Sequence, residues 1–259
     1  MVKGLYTAYT GMIQEQHRMD TLANNLANAD TIGFKKEGTT SQSFDAMLID
    51  KIKDDSEYAR LPRRIGSVNP GVKIGESYID WSQGSFQVTG NSYDLALGGQ
   101  GFFAIEFTNK RGETSTMYTR DGNFQIDKDG YLVTQDGDYV LGKNGRIRLN
   151  VNADMVVQRD GSIYQNDQRV AQLQLTTFED YNYLEHYGEN YYYPVEGATP
   201  RDATDISVEQ GYLEVSNVST VSEMVEMISV SRQYEANQKI IQTMDTSLET
   251  ATSLGKLNG

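Results

Sequence analysis

The sequence predicts an α+β fold: long N- and C-terminal α-helices pair as a coiled-coil-like hairpin, and a β-rich domain of hairpins is inserted between them. Three observations lead there. Apolar residues recur at alternating three- and four-residue spacing near the start of the chain; the same spacing returns near its end; between them, short alternating runs are punctuated by Asp-Gly and Asn-Gly pairs. Residues 1–40 are accordingly assigned to a first helix and its exit turn, 41–74 to an extended connector, 75–210 to the β-rich domain and 211–259 to the second helix.

The first helix rests on Leu5, Ala8, Met12, Met19, Leu22 and Leu26, a seam interrupted only by Glu15. Run from Lys3 to Asn28, it is roughly 39 Å long. It ends in "LANNLANADTIGFKK", Leu22 to Lys36, where Asn24, Asn25 and Asn28 crowd a segment in which asparagine is a poor helix former. Asn28 is placed to end the helix, with Gly33 in the exit turn. Asn24 and Asn25 come too early for capping, so their amides are assigned to hydrogen bonds with neighbouring chains, fixing register as a polar seam residue does in a coiled coil.

Asp50–Ile74 is rich in charge, glycine and proline, with weak periodicity, and reads as a connector. The β signal follows. Asp-Gly stands at 121–122, 129–130, 136–137 and 160–161 and Asn-Gly at 144–145, separated by runs rich in Tyr, Val, Ile and Leu, which is the pattern of a train of hairpins. "RVAQLQLTTF" carries the strands past residue 175, and a shorter connector spans Tyr193–Gln210. Ser219 or Thr220 then caps the second helix, with Glu223 following. Its seam is Met227, Val230, Tyr234, Ile241, Met244, Leu248 and Ala251, broken by Asn237, and Gly255 is the expected stop.

Composition excludes several classes of function. The absence of cysteine removes thiol catalysis and thiolate metal sites, and a formal net charge of -13 argues against nucleic acid as a partner. Residues 1–40 hold four basic and four acidic side chains and residues 211–259 three basic and six acidic, so -10 of the -13 lies in the middle of the chain. With no run of about 18 apolar residues, membrane insertion is not expected, and the start "MVKGLYTAYTGMIQEQ" lacks a secretory apolar stretch. "QIDKDGYLVTQD", Gln125 to Asp136, imitates a calcium loop but has Gln125 where the first carboxylate belongs, so hairpin turns explain it better. "LGGQGFF", Leu97 to Phe103, lacks phosphate-loop spacing and reads as a β turn. The two histidines, His17 and His186, stand in no catalytic pattern, and no cofactor is implied. Six tyrosines between Tyr181 and Tyr193 suit either a contact surface or strand packing.

The two terminal seams have too little buried surface to stand alone, so other chains are the natural source of the missing contacts. At this point "MDTLANNLANADTIGFKK" closely resembles the N-terminal signature of the bacterial flagellar basal-body rod and hook proteins. The resemblance continues through "SYDLALGGQGFFAIE" and "YTRDGNFQIDKDGYLVTQDGDYVLG" to "GYLEVSNVSTVSEMVEMISVSRQYEANQKIIQTMD", and it leaves out only about Phe44–Ile74. It implies a non-enzymatic axial protein of the basal body, exported through the flagellar export apparatus without signal cleavage. Its terminal helices line a helical tube built from copies of itself and joined to other rod and hook proteins. The chain length is similar to that of distal-rod members rather than the longer hook members, with the related proximal-rod members as the alternative. The assembly interface so implied comprises Leu5, Met12, Met19, Leu22, Asn24, Asn25, Leu26, Asn28, Gly33 and Phe34, with Met227, Val230, Tyr234, Ile241, Met244 and Leu248. The competing reading is a surface β domain that binds calcium or glycans through its Asp-Gly turns and tyrosines.

Overall fold

The computed structural model describes residues 2–50, 64–109, 112–188, 190–203 and 205–257. Two compact units share them: Met1–Leu26, Glu37–Tyr78 and Thr220–Gly259 form the first, and Ala27–Lys36 with Ile79–Ser219 the second.

Among the described residues the first unit contains two helices, α1 at Val2–Ala27 and α2 at Thr220–Leu257. They run antiparallel as neighbours: Gly4 lies against Met244, Gly11 against Asn237, and Arg18 bonds Glu226 across 2.8 Å. Along α2 the side chains of Met227, Val230, Tyr234, Asn237, Ile241, Met244 and Leu248 are withdrawn from solvent. Asn237, which broke the sequence period, completes the structural one. A Cβ on Gly11 would sit 3.0 Å from the Asn237 amide nitrogen, so the glycine makes room for it. Two expectations fail at the far end. Ala251 is exposed because the pairing of Gly4 with Met244 leaves no residue of α1 opposite it, and the helix continues through Gly255 to Leu257.

The stretch read as a connector also contains paired strands. Glu37–Ser43 pairs with Val72–Ile79, and Met47–Asp50 pairs antiparallel with Arg64–Val68, while residues 51–63 lie outside the described residues. Polar pairs hid these ribbons from a hydrophobic-period argument: the Thr40 hydroxyl donates to the Glu76 carbonyl (3.0 Å) and accepts from its N–H (2.9 Å).

The second unit is built on a 10-stranded sheet whose main path runs Leu184–Tyr187, Tyr191–Pro194, Thr114–Thr119, Phe102–Thr108, Tyr139–Gly142, Leu132–Thr134, Phe124–Ile126. Alternation along Phe102–Thr108 separates two cores. Phe103 joins Leu95, Leu97, Phe124, Leu132, Val140 and Ile163 on one side, and Phe102 and Ala104 join Tyr118, Phe178, Leu184 and Tyr192 on the other, where Trp81 packs edge-on against Phe102. Smaller antiparallel ladders join Leu95–Gly98 to Ser207–Gln210 and Phe86–Val88 to Tyr212–Glu214.

The Asp-Gly and Asn-Gly pairs at 129–130, 136–137, 144–145 and 160–161 close hairpins, and each glycine has a positive φ. Asp121-Gly122 does not. Strands Thr114–Thr119 and Phe124–Ile126 are not partners, and Gly122 is there because the Leu95 carbonyl approaches its Cα too closely for a side chain. A further hairpin turn escaped the sequence reading: Asn166 and Asp167, at φ 50 and 60, join Ser162–Gln165 to Gln168–Gln172.

Candidate functional site

The helix pair divides the expected interface residues into groups. Leu22 and Val230 are buried; Leu5, Met12, Met19, Leu26, Met227, Tyr234, Ile241, Met244 and Leu248 are half-buried in the first unit. Asn24 is exposed. Asn25 is not: its side chain is 0% accessible and fully engaged within its own chain. Its Nδ2 donates to the Glu37 carbonyl at 2.8 Å and to Glu223 Oε2 at 3.3 Å, and its Oδ1 accepts from the Glu37 N–H at 2.9 Å. The amide thus serves the backbone of the departing strand and ties α1 to α2, which leaves it no free group for the neighbouring chain that sequence reasoning gave it. Asn25→Ala should therefore destabilise the subunit by about 1–3 kcal/mol, since both Glu37 backbone groups lose their partner, and the gain in helix propensity recovers only a fraction of this. Urea unfolding measures it.

In the second unit the exit turn is held from below. The helix ends at Ala27 and Asn28 follows it without a left-handed φ; its carbonyl accepts from the Thr31 N–H (3.2 Å) and its Oδ1 from the Thr31 hydroxyl (3.2 Å). Gly33, at φ 70, donates its N–H to the Glu214 carbonyl (2.8 Å) and lies on the backbone of Arg120 and Asp121. Phe34 is 0% exposed and meets His186 edge-on, so this side chain belongs to the interior and not to an assembly face. Lys35 follows it inward. Its ammonium donates to Glu214 Oε1 (2.6 Å) and the Ser82 carbonyl (2.8 Å), while Arg120 Nη1 reaches Glu214 Oε2 (3.1 Å). Gly84 N–H adds a further bond to Glu214 Oε1 at 3.0 Å. All three ionic side chains are buried. Burial holds the Lys35 pKa below the ordinary lysine value, and Glu214 opposes that shift.

The other stretches weighed for chemistry become structure. Gln125–Asp136 is two paired strands and the turn between them, and Leu97–Phe103 is strand, bend and strand with Gly99 at φ 110. His17 is exposed on α1; His186 packs on Phe34 and Tyr192. The tyrosine run divides between its two readings: Tyr191 and Tyr192 are core, whereas Tyr183, Tyr187 and Tyr193 face solvent.

Sequence reasoning missed one surface. Val221, Met224, Val225 and Ile228 are 71%, 51%, 63% and 55% exposed, and their spacing puts them on one stripe of α2, apart from the seam. The signal was present, since these residues have the same three- and four-residue spacing.

Three family descriptions match the chain: "Flagella basal body rod protein" over residues 5–35, "Flagellar hook protein FlgE/F/G D1 domain" over 96–165, and "Flagellar basal body rod FlgEFG protein C-terminal" over 209–254. Each matched segment supplies one member of the buried ionic cluster, Lys35, Arg120 and Glu214 in turn. The chain is 33% identical to the flagellar basal-body rod protein FlgG of Bacillus subtilis, covering 98% of this chain and 99% of that one. It is 32% identical to the basal-body rod protein FlgF of Caulobacter vibrioides, over 100% of both. To the FlgG of Buchnera aphidicola subsp. Schizaphis graminum it is 30% identical, over 98% of this chain and 100% of the relative. FlgG and FlgF relatives stand level in this comparison.

Proposed function

The chain belongs to the flagellar basal-body rod protein family, whose members are structural subunits and not enzymes, and from that premise we propose that it polymerises into the rod through its terminal helices. The rod so formed is a helical tube, drive shaft and export channel at once, located in the basal body and joined to other rod and hook proteins. In this reading the seam residues hold α1 to α2 as a coiled-coil-like hairpin. The pair then presents a second apolar stripe, with Asn24 on its exposed surface, to the next copy.

The observation that carries the reading is that stripe. Four large apolar side chains exposed together on one helix face have no use in an isolated subunit, and burying each against a neighbour is worth about 1.5–3 kcal/mol. Export as an unfolded chain fits the buried cluster, because Lys35, Arg120 and Glu214 can meet only after most of the chain has been delivered. The reading of a calcium- or glycan-binding surface domain is not favoured, since its pseudo-loop is occupied by strand pairing and the relatives are rod proteins.

Met224→Asp and Ile228→Asp provide the test. Both positions are exposed, so each variant should melt within a few degrees of wild type. In negative-stain images of concentrated protein, wild type should form tubes or stacked rings and the variants should not. Variants that polymerise like wild type would remove the stripe from the interface.

A further inference from the structure

Two apolar patches on the helical pair lie at different levels. On α1, Tyr6 and Tyr9 are 60% and 50% exposed, and Ile13, one turn further along, is half-buried. Their spacing aligns them on one flank, and at about 100° per residue that flank lies about a third of a turn from the seam of Leu5, Met12 and Met19. On α2, the stripe of Val221, Met224, Val225 and Ile228 lies on the side opposite the seam that meets α1. So neither patch is used in pairing α1 with α2.

The antiparallel pairing fixes their offset. Gly11 faces Asn237, so Tyr9 lies level with roughly residue 239, about 14 residues from Val225, and at about 1.5 Å per residue the patches are about 20 Å apart along the pair. Asp20, exposed on the same flank of α1, is the residue level with the stripe, since Arg18 reaches Glu226. Charge distinguishes the patches too. Val2–Gln14 has one charged side chain, Lys3, whereas Thr220–Ser231 has Glu223 and Glu226. With -10 of the formal -13 between residues 41 and 210, most of the chain repels a copy of itself, but these two segments carry opposite signs.

We propose that the occupant of the α2 stripe is the flank Tyr6, Tyr9 and Ile13 of α1 in a second copy. This rests on the rod reading above and names the contact by which the rod is made. Neighbouring copies lie side by side, with α1 of one antiparallel to α2 of the next and Tyr9 over Val225, and each is displaced from the last by about 20 Å along the helices. Tyrosine suits such a surface: the ring covers Met224 and Val225 while the hydroxyl stays at the wet edge. Because two different surfaces meet, the contact is heterologous, and with the displacement it does not close on itself. Each copy keeps one flank or one stripe for the next. Stripe packed on stripe would instead bury both in a closed dimer.

The chain has no cysteine, so introduced pairs report the contact without background. Concentrated full-length protein carrying Tyr9→Cys with Val225→Cys, oxidised by copper phenanthroline, should give a ladder of disulfide-linked oligomers on a non-reducing gel. Asp20→Cys with Val225→Cys, the pair that meets in copies without displacement, should give none, and neither should Val225→Cys alone. Linked dimers of Val225→Cys alone would place stripe on stripe, and a ladder from Asp20→Cys with Val225→Cys would remove the displacement; either overturns this contact while leaving the stripe as the interface. Tubes without any cross-link would overturn it as well. Where cysteine prevents assembly, blocked variants decide: Tyr9→Asp and Val225→Asp should each sediment as monomers and their mixture as a 1:1 dimer. A dimer of Tyr9→Asp alone, or a mixture that stays monomeric, rejects the pairing. Wild type that forms no polymer at all sinks the rod reading itself, and the contact with it.

Discussion

Glu214→Ala should destabilise the second unit by about 3–5 kcal/mol, a large share of the total stability of an ordinary domain. The substitution leaves Lys35 and Arg120, 1% and 3% exposed, without the carboxylate that both contact, and it strips Gly84 N–H of its acceptor. Lys35→Met should cost clearly less, because Glu214 keeps Arg120 and Gly84 and the new side chain fills a similar volume. The asymmetry is the prediction. Urea unfolding followed by the single tryptophan, Trp81, reads it directly, since that ring packs on Phe102 and Tyr192 inside the same unit. With Glu214 gone, the main influence raising the Lys35 pKa is lost and burial lowers it further. The unfolded state then binds the proton more tightly than the folded one, so the variant should regain stability as pH rises toward the ordinary lysine range. Equal losses in the two variants would mean that the glutamate is not the centre of the cluster.

The helices were legible because burial along α2 follows the period that the sequence displays, from Met227 to Leu248. Even the break at Asn237 has a local cause in Gly11. The hairpin turns were legible for a similar reason: a glycine after Asp or Asn specifies backbone geometry within two residues. What stayed hidden depends on distance along the chain. Lys35 and Glu214 are 179 residues apart and Arg120 and Glu214 are 94 apart, and in sequence each is an unremarked charge of the kind that normally lies in water. Asn25 was misread for the same reason. Its position on the helix showed that capping was excluded, but only the fold brings Glu37 and Glu223 to it. Asp121-Gly122 looked like its neighbours at 129–130 and 136–137, yet its glycine answers to Leu95 and not to a turn.

Gly33→Ala should be nearly as damaging as the loss of Glu214, and for a reason that can be separated into two parts. At φ 70 the backbone is in the left-handed region, where a Cβ costs about 1–2 kcal/mol. In addition, that Cβ would stand 2.5 Å from the Asp121 nitrogen and 2.6 Å from the Arg120 carbonyl carbon, and both are main-chain atoms that cannot swing aside. Relieving the clash lifts the exit turn from the strand end below it, stretching the 2.8 Å bond from Gly33 N–H to the Glu214 carbonyl and drawing Lys35 away from its carboxylate. Overpacking of this kind adds about 1–3 kcal/mol. Gly137→Ala supplies the control, because Gly137 has φ 92 but nothing within 4 Å of its Cβ position, so it should show the conformational cost alone. Urea midpoints should rank wild type above Gly137→Ala and Gly137→Ala well above Gly33→Ala. The double variant Gly33→Ala with Glu214→Ala should lose less than the two single losses added, since both act on one cluster. Gly33→Ala matching Gly137→Ala would show that the exit turn rests loosely on Arg120 and Asp121, and that the glycine is needed for its φ alone.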